Sequence, residues 1–358
     1  MKRCAALFLL CLMLLGCARE PVPTEPTDTV PVSTAPTEPS TVPTTVPETT
    51  EPAPTFPHPL TGAAMDAPYD NARPYMVMIN NIRVAQPQCG TSRADMMFEI
   101  LVEGGITRMM ALFTHPQGDT PIGSIRSLRP YYLSLARGYD AIVVHAGGSQ
   151  QAYGDLYDTG WDHLDGVGGA NSGAYYYRVP ERIENAGYEH SMFLNMEDAV
   201  AYAAERECRM ELEDFEYALV FDDAPLTTGS PATQVTVHFR GSKETLFDYD
   251  SQTGLYTGSQ YDEIWADGND GTPQTFRNLI VLQADTWTVD DYGRLAMELT
   301  GVGDGLLIRD GKCIPIVWSR ETESDPFYYS LADGSPAALG VGRSYVAITP
   351  TMEDTELQ

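Results

Sequence analysis

The sequence is poor in positive charge. Its 358 residues contain 22 Lys and Arg against 50 Asp and Glu, which gives a formal net charge of −28. Such a surface repels nucleic acids, other polyanions and anionic lipid headgroups at long range. The composition therefore excludes a nucleic-acid-binding protein with a broad basic face, and an anionic ligand must find a local basic pocket.

The apolar run near the N-terminus, residues 5–15, is too short to cross a bilayer, which takes about 20 helical residues. It follows two basic residues and ends in Leu-Leu-Gly-Cys. A basic start and a short apolar run are typical of a secretory signal peptide, and the ending resembles the bacterial lipobox. We therefore predict a lipoprotein signal peptide over residues 1–16 and a lipidated mature N-terminus at Cys17.

A lipidated N-terminus predicts an extracytoplasmic protein held on the cell membrane by its lipid anchor. One acyl chain binds only marginally, and the additional chains of a bacterial lipoprotein make the anchoring stable. Residues 17–57 are rich in proline and threonine, and 12 of the 26 prolines fall between residues 18 and 59. With few large apolar side chains, this segment cannot offset the entropy cost of ordering. We predict a disordered tether.

Cysteine is scarce and carries no motif. After removal of the signal peptide and lipidation of Cys17, three thiols remain, at Cys89, Cys208 and Cys313. At most one disulfide can form, and its pairing stays open. The chain has no C-x-x-C pair, no P-loop and no G-x-S-x-G nucleophile elbow. We therefore expect no metal site and no cofactor.

Strands alternate with helices over residues 58–212, which predicts an α/β domain with a mostly parallel or mixed sheet. Pro130 suits a first helical turn and Gly138 a helix end, so they bracket one predicted helix. Ser92 is a plausible N-cap for another. The pattern predicts strands at 75–79, where Asn80 and Asn81 form a turn, at 106–115 and at 142–144. It predicts helices at 92–105, 130–138, 150–158 and 195–210.

Residues 213–352 have a different pattern of apolar and turn-forming residues. Short alternating runs are separated by Gly and Asp, and Asp-Gly pairs at residues 304–305, 310–311 and 333–334 indicate tight turns. This pattern predicts a smaller, β-rich (α+β) C-terminal domain, with a boundary near residue 213.

Five segments together resemble the YerB-like lipoproteins of Gram-positive bacteria. They are HPLTG at 58–62, VMINN at 77–81, residues 86–113, residues 122–149 and EHSMF at 189–193. The C-terminal half, with DGKCIPIVWSR at 310–320 and VGRSYVAITP at 341–350, looks like the second domain of that family. The resemblance therefore covers nearly the whole ordered chain and implies two domains and membrane anchoring, without a particular chemistry. Cys89 stands where the resemblance leads us to expect a small hydroxyl residue, which argues against a nucleophile there.

Two arginines lie close together in the segment IGSIRSLRPYYLSLA, residues 122–136. If the turn before Pro130 is helical, Arg126 and Arg129 project from neighbouring positions. A glycine loop at the end of a strand, residues 147–149, offers N–H groups to an anion. We predict a ligand-binding pocket formed by these elements, with the residues Arg126, Arg129, His145, Gly147, Gly148 and Ser149. In the alternative interpretation, both arginines pair with Glu99 and Glu103.

Candidates for catalysis are weaker. On the predicted helix, Glu99 and Glu103 share one face, as an acid–base pair or as salt-bridge partners. His190 and Ser191 can act as base and nucleophile only if another group orients the imidazole. His145 is a further candidate base. Structural roles for all four titratable residues remain the alternative.

Acidic and aromatic clusters complete the candidates. Residues 155–169 contain four Asp and one His, and residues 267–271 read DGNDG. Neither spacing fits an EF-hand, so we interpret both as solvated turns. Trp161 and residues 175–177 can stack a sugar ring or pack in the interior.

The sequence thus favours a non-catalytic, membrane-anchored lipoprotein that binds a small anionic or envelope-derived ligand, or a partner protein. The alternatives are an envelope hydrolase acting on a glycan or phosphoester, and a structural protein without a pocket at Arg126 and Arg129.

Overall fold

The computed structural model describes residues 56–116 and 118–358. The predicted signal peptide, Cys17 and nearly all of the predicted tether lie outside the described residues. In the part of the chain that the structure describes, no helix is both long enough and apolar enough to cross a membrane.

The first half of the described chain alternates strands and helices. Its strands are β1 (Phe56–Pro57), β2 (Ala64–Met65), β3 (Tyr75–Asn81), β4 (Met96–Leu101), β5 (Thr107–Phe113), β6 (Pro121–Gly123), β7 (Ile142–His145), β8 (His163–Asp165), β9 (Tyr176–Arg178) and β10 (Met192–Asn195). Its helices are α1 (Pro130–Arg137), α2 (Gln150–Thr159), α3 (Ser172–Tyr175), α4 (Pro180–Asn185) and α5 (Met196–Glu205).

The second half is built from strands. They are β11 (Ser230–Pro231), β12 (Gln234–His238), β13 (Glu244–Asp250), β14 (Leu255–Gln260), β15 (Glu263–Ile264), β16 (Thr275–Phe276), β17 (Asn278–Gln283), β18 (Thr286–Thr288), β19 (Leu295–Met297), β20 (Gly301–Arg309), β21 (Lys312–Arg320), β22 (Tyr328–Ser330), β23 (Ser344–Thr349) and β24 (Thr355–Leu357).

An eleven-stranded mixed sheet joins the two halves. Its order is β11-β21-β20-β17-β23-β4-β5-β3-β7-β8, and β22 pairs with β21. The halves meet where β23 runs parallel to β4, with Tyr345 opposite Met97 and Ala347 opposite Glu99. Strands β3, β4, β7, β8, β17 and β23 all point the same way. Their carboxyl ends therefore form one edge, which we call the carboxyl edge.

A six-stranded sheet of β12 to β16 and β24 covers one face of this large sheet. The contact is aromatic, because Phe247 of β13 lies 4.6 Å from Tyr345 between ring centroids. The side chains of a strand alternate between faces. Accordingly, Phe98 of β4 turns to the other face, against Tyr139, while Glu99 faces the six-stranded sheet. Strand β4 is buried along its whole length.

The predicted fold class is confirmed, with a mixed sheet and helices followed by a strand-rich region. Strands β3, β5 and β7 and helices α1, α2 and α5 form where the pattern predicts them. Pro130 is the first residue of α1, and Gly138 is its C-cap. The boundary near residue 213 stays a prediction.

The helix predicted over residues 92–105 is wrong. The middle of that segment is strand β4, preceded by a 3₁₀ turn at Thr91–Arg93 and followed by another at Glu103–Gly105. Met, Leu and Glu favour helices locally, but β4 pairs with β5 on one side and β23 on the other. Partners distant in sequence thus override the local preference.

Candidate functional site

The arginine segment, residues 124–129, is inserted at the carboxyl edge between β3 and β7. These strands pair in parallel only as far as Val77 and Val144. Beyond that point, Arg126 N–H donates to the carbonyl of Met78 at 2.9 Å, and Ala146 N–H donates to the carbonyl of Arg126 at 3.0 Å. The segment therefore brings the two predicted arginines next to the 147–149 loop.

The segment is extended rather than helical, so the predicted spacing of Arg126 and Arg129 on one helical turn is wrong. Arg129 itself has φ −129° and ψ 157° immediately before α1. Its guanidinium binds both carboxylate oxygens of Glu103, with Nε at 3.1 Å from Oε2. The alternative interpretation, in which the arginines pair with Glu99 and Glu103, therefore holds for Arg129 and Glu103.

Glu103 is held ionised by its neighbours. Although burial raises its pKa, the hydrogen bond from Arg129 and the charge of Arg108 hold that pKa below its ordinary value. Burial, together with the charge of Arg129, lowers the pKa of Arg108 to about 10. We call Arg108, Arg126 and Arg129 the arginine cluster.

Arg126 is the least engaged member of the cluster. Its Nη1 donates to the carbonyl of Glu189 at 3.3 Å, and its Nη2 lies 4.0 Å from that residue's carboxylate. The Glu189 side chain is 65% exposed, so the ion pair is weak. Three guanidinium groups thus face two carboxylates, and Arg126 has the most capacity for another anion.

One N–H group of the predicted anion loop, that of Gly147, already binds a carboxylate of the chain. The carboxylate of Asp165, at the end of β8, accepts hydrogen bonds from the N–H groups of Gly147 and Val167 at 2.9 Å and of Gly168 at 3.0 Å. Although burial raises the pKa of Asp165, His145 and these N–H groups hold it below its ordinary value. Ser149 caps helix α2 by accepting the N–H of Ala152.

His145 is buried and paired with another imidazole. Its Nδ1 lies 2.8 Å from the carbonyl of Gly147, and its Nε2 lies 3.0 Å from Nδ1 of His163. A carbonyl only accepts, so Nδ1 of His145 donates and Nε2 accepts from His163. Burial lowers the pKa of both, that of His163 to about 4 with a further contribution from His145.

His190 and Ser191 do not hydrogen-bond to each other. The imidazole lies between the amide of Asn80 at 2.6 Å and the carboxylate of Glu189 at 3.2 Å. The Ser191 hydroxyl donates to the carbonyl of Tyr188 at 2.7 Å. The geometry of a base activating a nucleophile is therefore missing at this pair.

Glu99 is fully buried at the junction of the two sheets. Five side chains donate to its carboxylate. Asn81, Thr107 and Lys243 reach Oε1 at 2.7–3.0 Å, and Thr245 and Tyr345 reach Oε2 at 2.8 Å. A buried carboxylate needs such complete pairing. Since β4 is a strand, Glu99 and Glu103 do not share a helix face, and the predicted carboxylate pair is wrong in that respect.

Lys243 connects Glu99 to a large cavity at the carboxyl edge. The cavity has a volume of about 910 Å³ and lies between the β4–β5 turn and the turns at the ends of β12 and β14. We call it the cationic cavity, because Arg83, Arg240 and Lys243 line it, with Tyr261 beside them. Glu244 and Asp262 are its acidic lining residues.

Two of these cations are not neutralised. Arg83 and Arg240 are exposed, and among the described residues no carboxylate lies within 4.0 Å of either guanidinium. Arg83 donates to the carbonyl of Tyr261 at 2.9 Å and lies over its ring. In a chain of net charge −28, two unpaired guanidinium groups at one cavity are available for an anion.

Sequence reasoning missed this cavity. Arg240 and Lys243 belong to the turn between β12 and β13, whereas Arg83 follows β3, so no single motif joins the three cations. Two weak signals exist: Lys243 is one of only three lysines, and Glu99 is the one charged residue in the apolar run 96–102. A carboxylate inside an apolar strand requires a buried partner, but the sequence does not say which residue that is. Lys243 is recognised as the partner of Glu99 only once the fold is known.

Several carboxylates of the two acidic segments are bound inside the protein, whereas Asp155 and Asp158 lie on helix α2 rather than in the predicted turn. Asp162 pairs with Arg73, and Asp267 accepts the N–H groups of Gly90 and Ser92 at 3.0 and 2.9 Å. Among the described residues, no group of three or more His, Cys, Asp or Glu is arranged to hold a metal ion. Trp161 donates its indole N–H to the carbonyl of Ala141 at 2.9 Å.

The three cysteines of the described part, Cys89, Cys208 and Cys313, are buried and form no disulfide with one another. Burial raises the pKa of each thiol, to about 11 for Cys208 and Cys313. They are therefore poor nucleophiles.

Comparison with known proteins gives consistent results. Residues 60–209 match the N-terminal domain of a protein family of unknown function, DUF3048, and residues 235–346 match its C-terminal domain. The YerB protein of Bacillus subtilis (strain 168), which is named as a lipoprotein, is 28% identical over 298 residues, or 82% of this chain and 86% of the relative.

The crystal structure of YerB from Bacillus subtilis superposes with a TM-score of 0.74 at 26% identity. The match covers 84% of this chain and 99% of that one. This protein therefore belongs to the YerB-like DUF3048 family and carries both of its domains.

Proposed function

We propose that this protein is an extracytoplasmic, lipid-anchored binding protein whose ligand is a small envelope-derived molecule carrying a phosphate or carboxylate. The predicted lipobox at Cys17 and the naming of the Bacillus relative as a lipoprotein support the location. The anchor presents the folded residues to molecules of the envelope.

The observation that carries the proposed ligand class is the cationic cavity. Ligand sites in open α/β sheets occur outside the carboxyl ends of the strands, and this cavity lies at that edge beside Gly104–Ile106. Its volume of about 910 Å³ suits a small molecule. Guanidinium groups bind phosphate and carboxylate with two parallel hydrogen bonds, and those of Arg83 and Arg240 have no carboxylate partner among the residues that the structure describes.

The sequence-predicted site at Arg126, Arg129 and the 147–149 loop stays a prediction. Its capacity for a ligand is smaller, because Glu103 binds Arg129 and Asp165 binds the N–H of Gly147. Hydrolysis has less support. Glu99, Glu103 and His145 are each saturated by internal partners, so we propose no catalytic role for them.

The test is to extract the lipidated protein from its native envelope in detergent and to identify the retained small molecules by mass spectrometry. We expect the double variant Arg83→Ala/Arg240→Ala to lose the anionic molecule by at least about tenfold, since each charge-assisted contact contributes about 1.5–3 kcal/mol. Retention equal to that of the wild type would contradict the proposal.

Two matched variants complete the design. Arg206→Ala removes an exposed arginine beyond α5, away from the cavity, and we expect it to retain the ligand. The double variant Arg126→Ala/Arg129→Ala tests the sequence-predicted site in the same assay. Loss in that variant, with retention in the cavity variant, would move the site to the arginine cluster.

A further inference from the structure

A second cavity lies on the other side of the hairpin formed by β18 and β19. This hairpin is a separate two-stranded sheet, with Trp287 opposite Ala296. Between the hairpin and helices α1 and α2 is a groove of about 370 Å³. We call it the hairpin groove. It shares no lining residue with the cationic cavity.

Trp287 differs from the other tryptophans of the chain. The indole N–H groups of Trp161, Trp265 and Trp318 each donate to a protein oxygen at 2.8–2.9 Å. Trp287 is 50% exposed, lines the groove, and has no protein acceptor among the described residues. It therefore presents an aromatic face and a free donor to the groove.

The opposite wall supplies carboxylates. Asp155 and Asp158 lie three residues apart on α2 and so share one face. Glu323 is held by Arg137, whose Nη1 lies 2.6 Å from the carboxylate. Burial, with the charges of Glu323 and Asp158, raises the pKa of Asp155, which is consistent with carboxylates crowded into one groove.

This combination selects a class of ligand. Three carboxylates against one guanidinium repel anions, so the groove does not suit the ligand of the cationic cavity. An aromatic face offers apolar contact to the C–H groups of a sugar ring, and carboxylates and a guanidinium accept from and donate to its hydroxyl groups. The net negative charge of the groove attracts a cation, but a quaternary ammonium fits less well because a single indole makes no aromatic cage.

We propose that the hairpin groove binds a neutral saccharide, with one sugar ring stacked on Trp287 and its hydroxyl groups hydrogen-bonded to Asp155, Asp158 and Glu323. The site is independent of the proposed anion site. Together they fit a protein that contacts two chemically different parts of the envelope, a neutral glycan and an anionic molecule.

The test is calorimetric titration of the folded protein with two neutral trisaccharides, tri-N-acetylchitotriose and cellotriose, and with choline as the cationic probe. Tryptophan emission is followed in parallel, because ligand contact is expected to change the emission of the half-exposed Trp287. We expect saturable binding of at least one trisaccharide, weakened about tenfold or more by Trp287→Ala.

Matched variants make the outcome decisive. Trp287→Phe keeps an aromatic face and is expected to bind more tightly than Trp287→Ala. Tyr292→Ala removes an exposed ring of the same hairpin outside the groove and is expected to bind like the wild type. The variant Arg83→Ala/Arg240→Ala is also expected to keep saccharide binding, which separates this proposal from the proposed function.

Three outcomes would overturn the proposal. These are equal saccharide affinity in the wild type and Trp287→Ala, binding of choline alone, and no binding of either trisaccharide at millimolar concentration.

Discussion

At the scale of single residues, carboxylates of the chain itself bind part of the groups that sequence reasoning assigns to a foreign anion. Asp165 accepts the N–H of Gly147, and Glu103 binds Arg129. A local sequence pattern shows that a residue is suited to bind an anion, but it does not show whether that anion is a ligand or a carboxylate of the same chain. At Asp165 the competing carboxylate lies 18 residues from its partner Gly147, beyond a local pattern.

The stacked imidazoles predict a pH dependence of stability. Burial lowers the pKa of His163 from 6.5 to about 4, so between these values the unfolded chain binds a proton that the folded chain does not. The contribution of His163 to stability is therefore full above pH 6.5 and falls as the pH drops towards 4, by at most about 1.4 kcal/mol per pH unit.

His163→Asn removes this proton site and keeps an N–H donor towards His145. We expect the free energy of unfolding of the variant to decline less steeply than that of the wild type between pH 6.5 and 4, as measured by urea unfolding at stepped pH. Carboxylates titrate in the same range, but the difference between the two proteins cancels their contribution. If the free energy of unfolding fell equally with pH in both proteins, His163 would not be the source of the pH dependence.

At the scale of elements, the arginine segment matters first as backbone. It fills the gap where β3 and β7 diverge and hydrogen-bonds to both strands. The guanidinium of Arg126, by contrast, has only an exposed partner. The backbone of Arg126 therefore has a structural role that its guanidinium does not share.

Substitutions at Arg126 test this separation. Arg126→Pro removes the N–H that donates to the Met78 carbonyl, and leaving that buried acceptor unsatisfied is expected to cost about 1–3 kcal/mol of stability. Arg126→Ala keeps the backbone bond and is expected to cost about 0–1 kcal/mol. Thermal and urea unfolding check both values, and equal losses would show that the side chain carries the stability.

Strand β4 lies where the sequence analysis predicted a helix, and its residues show why. Its residues Met96–Leu101 are apolar on both faces except for Glu99, so they have no strand alternation, and their local preference is helical. The carboxylate is satisfied by Lys243, Thr245 and Tyr345, which lie 144 to 246 residues further along the chain. No window of local sequence contains that information.

At the scale of the whole molecule, the two family domains share one sheet. Strand β23 of the second half pairs along β4 of the first, and the six-stranded sheet covers the face that carries Glu99. The halves that the family models match separately are therefore joined by backbone pairing and by a buried charge network.

We expect residues 58–358 to unfold in a single cooperative transition, and a fragment of residues 58–212 to lack fixed tertiary structure. Without residues 213–358, Glu99 loses three of its donors and β4 becomes an apolar edge strand prone to aggregation. Near-ultraviolet circular dichroism and dye binding of the fragment check this. A cooperative unfolding transition of the fragment alone would contradict the expectation.

The sequence by itself determined what depends on near neighbours. Composition alone gives the charge balance. Short segments of sequence indicate helix α1 between Pro130 and Gly138, the buried strands β3, β5 and β7, and the family. Only the tertiary structure decided that β4 is a strand, that Asp165 binds the N–H of Gly147, and that Arg83 meets Arg240 and Lys243 at one cavity. The physical reason is the distance along the chain over which each interaction acts. Helix starts and turns depend on a few adjacent residues, whereas burial and ion pairing bring together residues that are far apart in sequence.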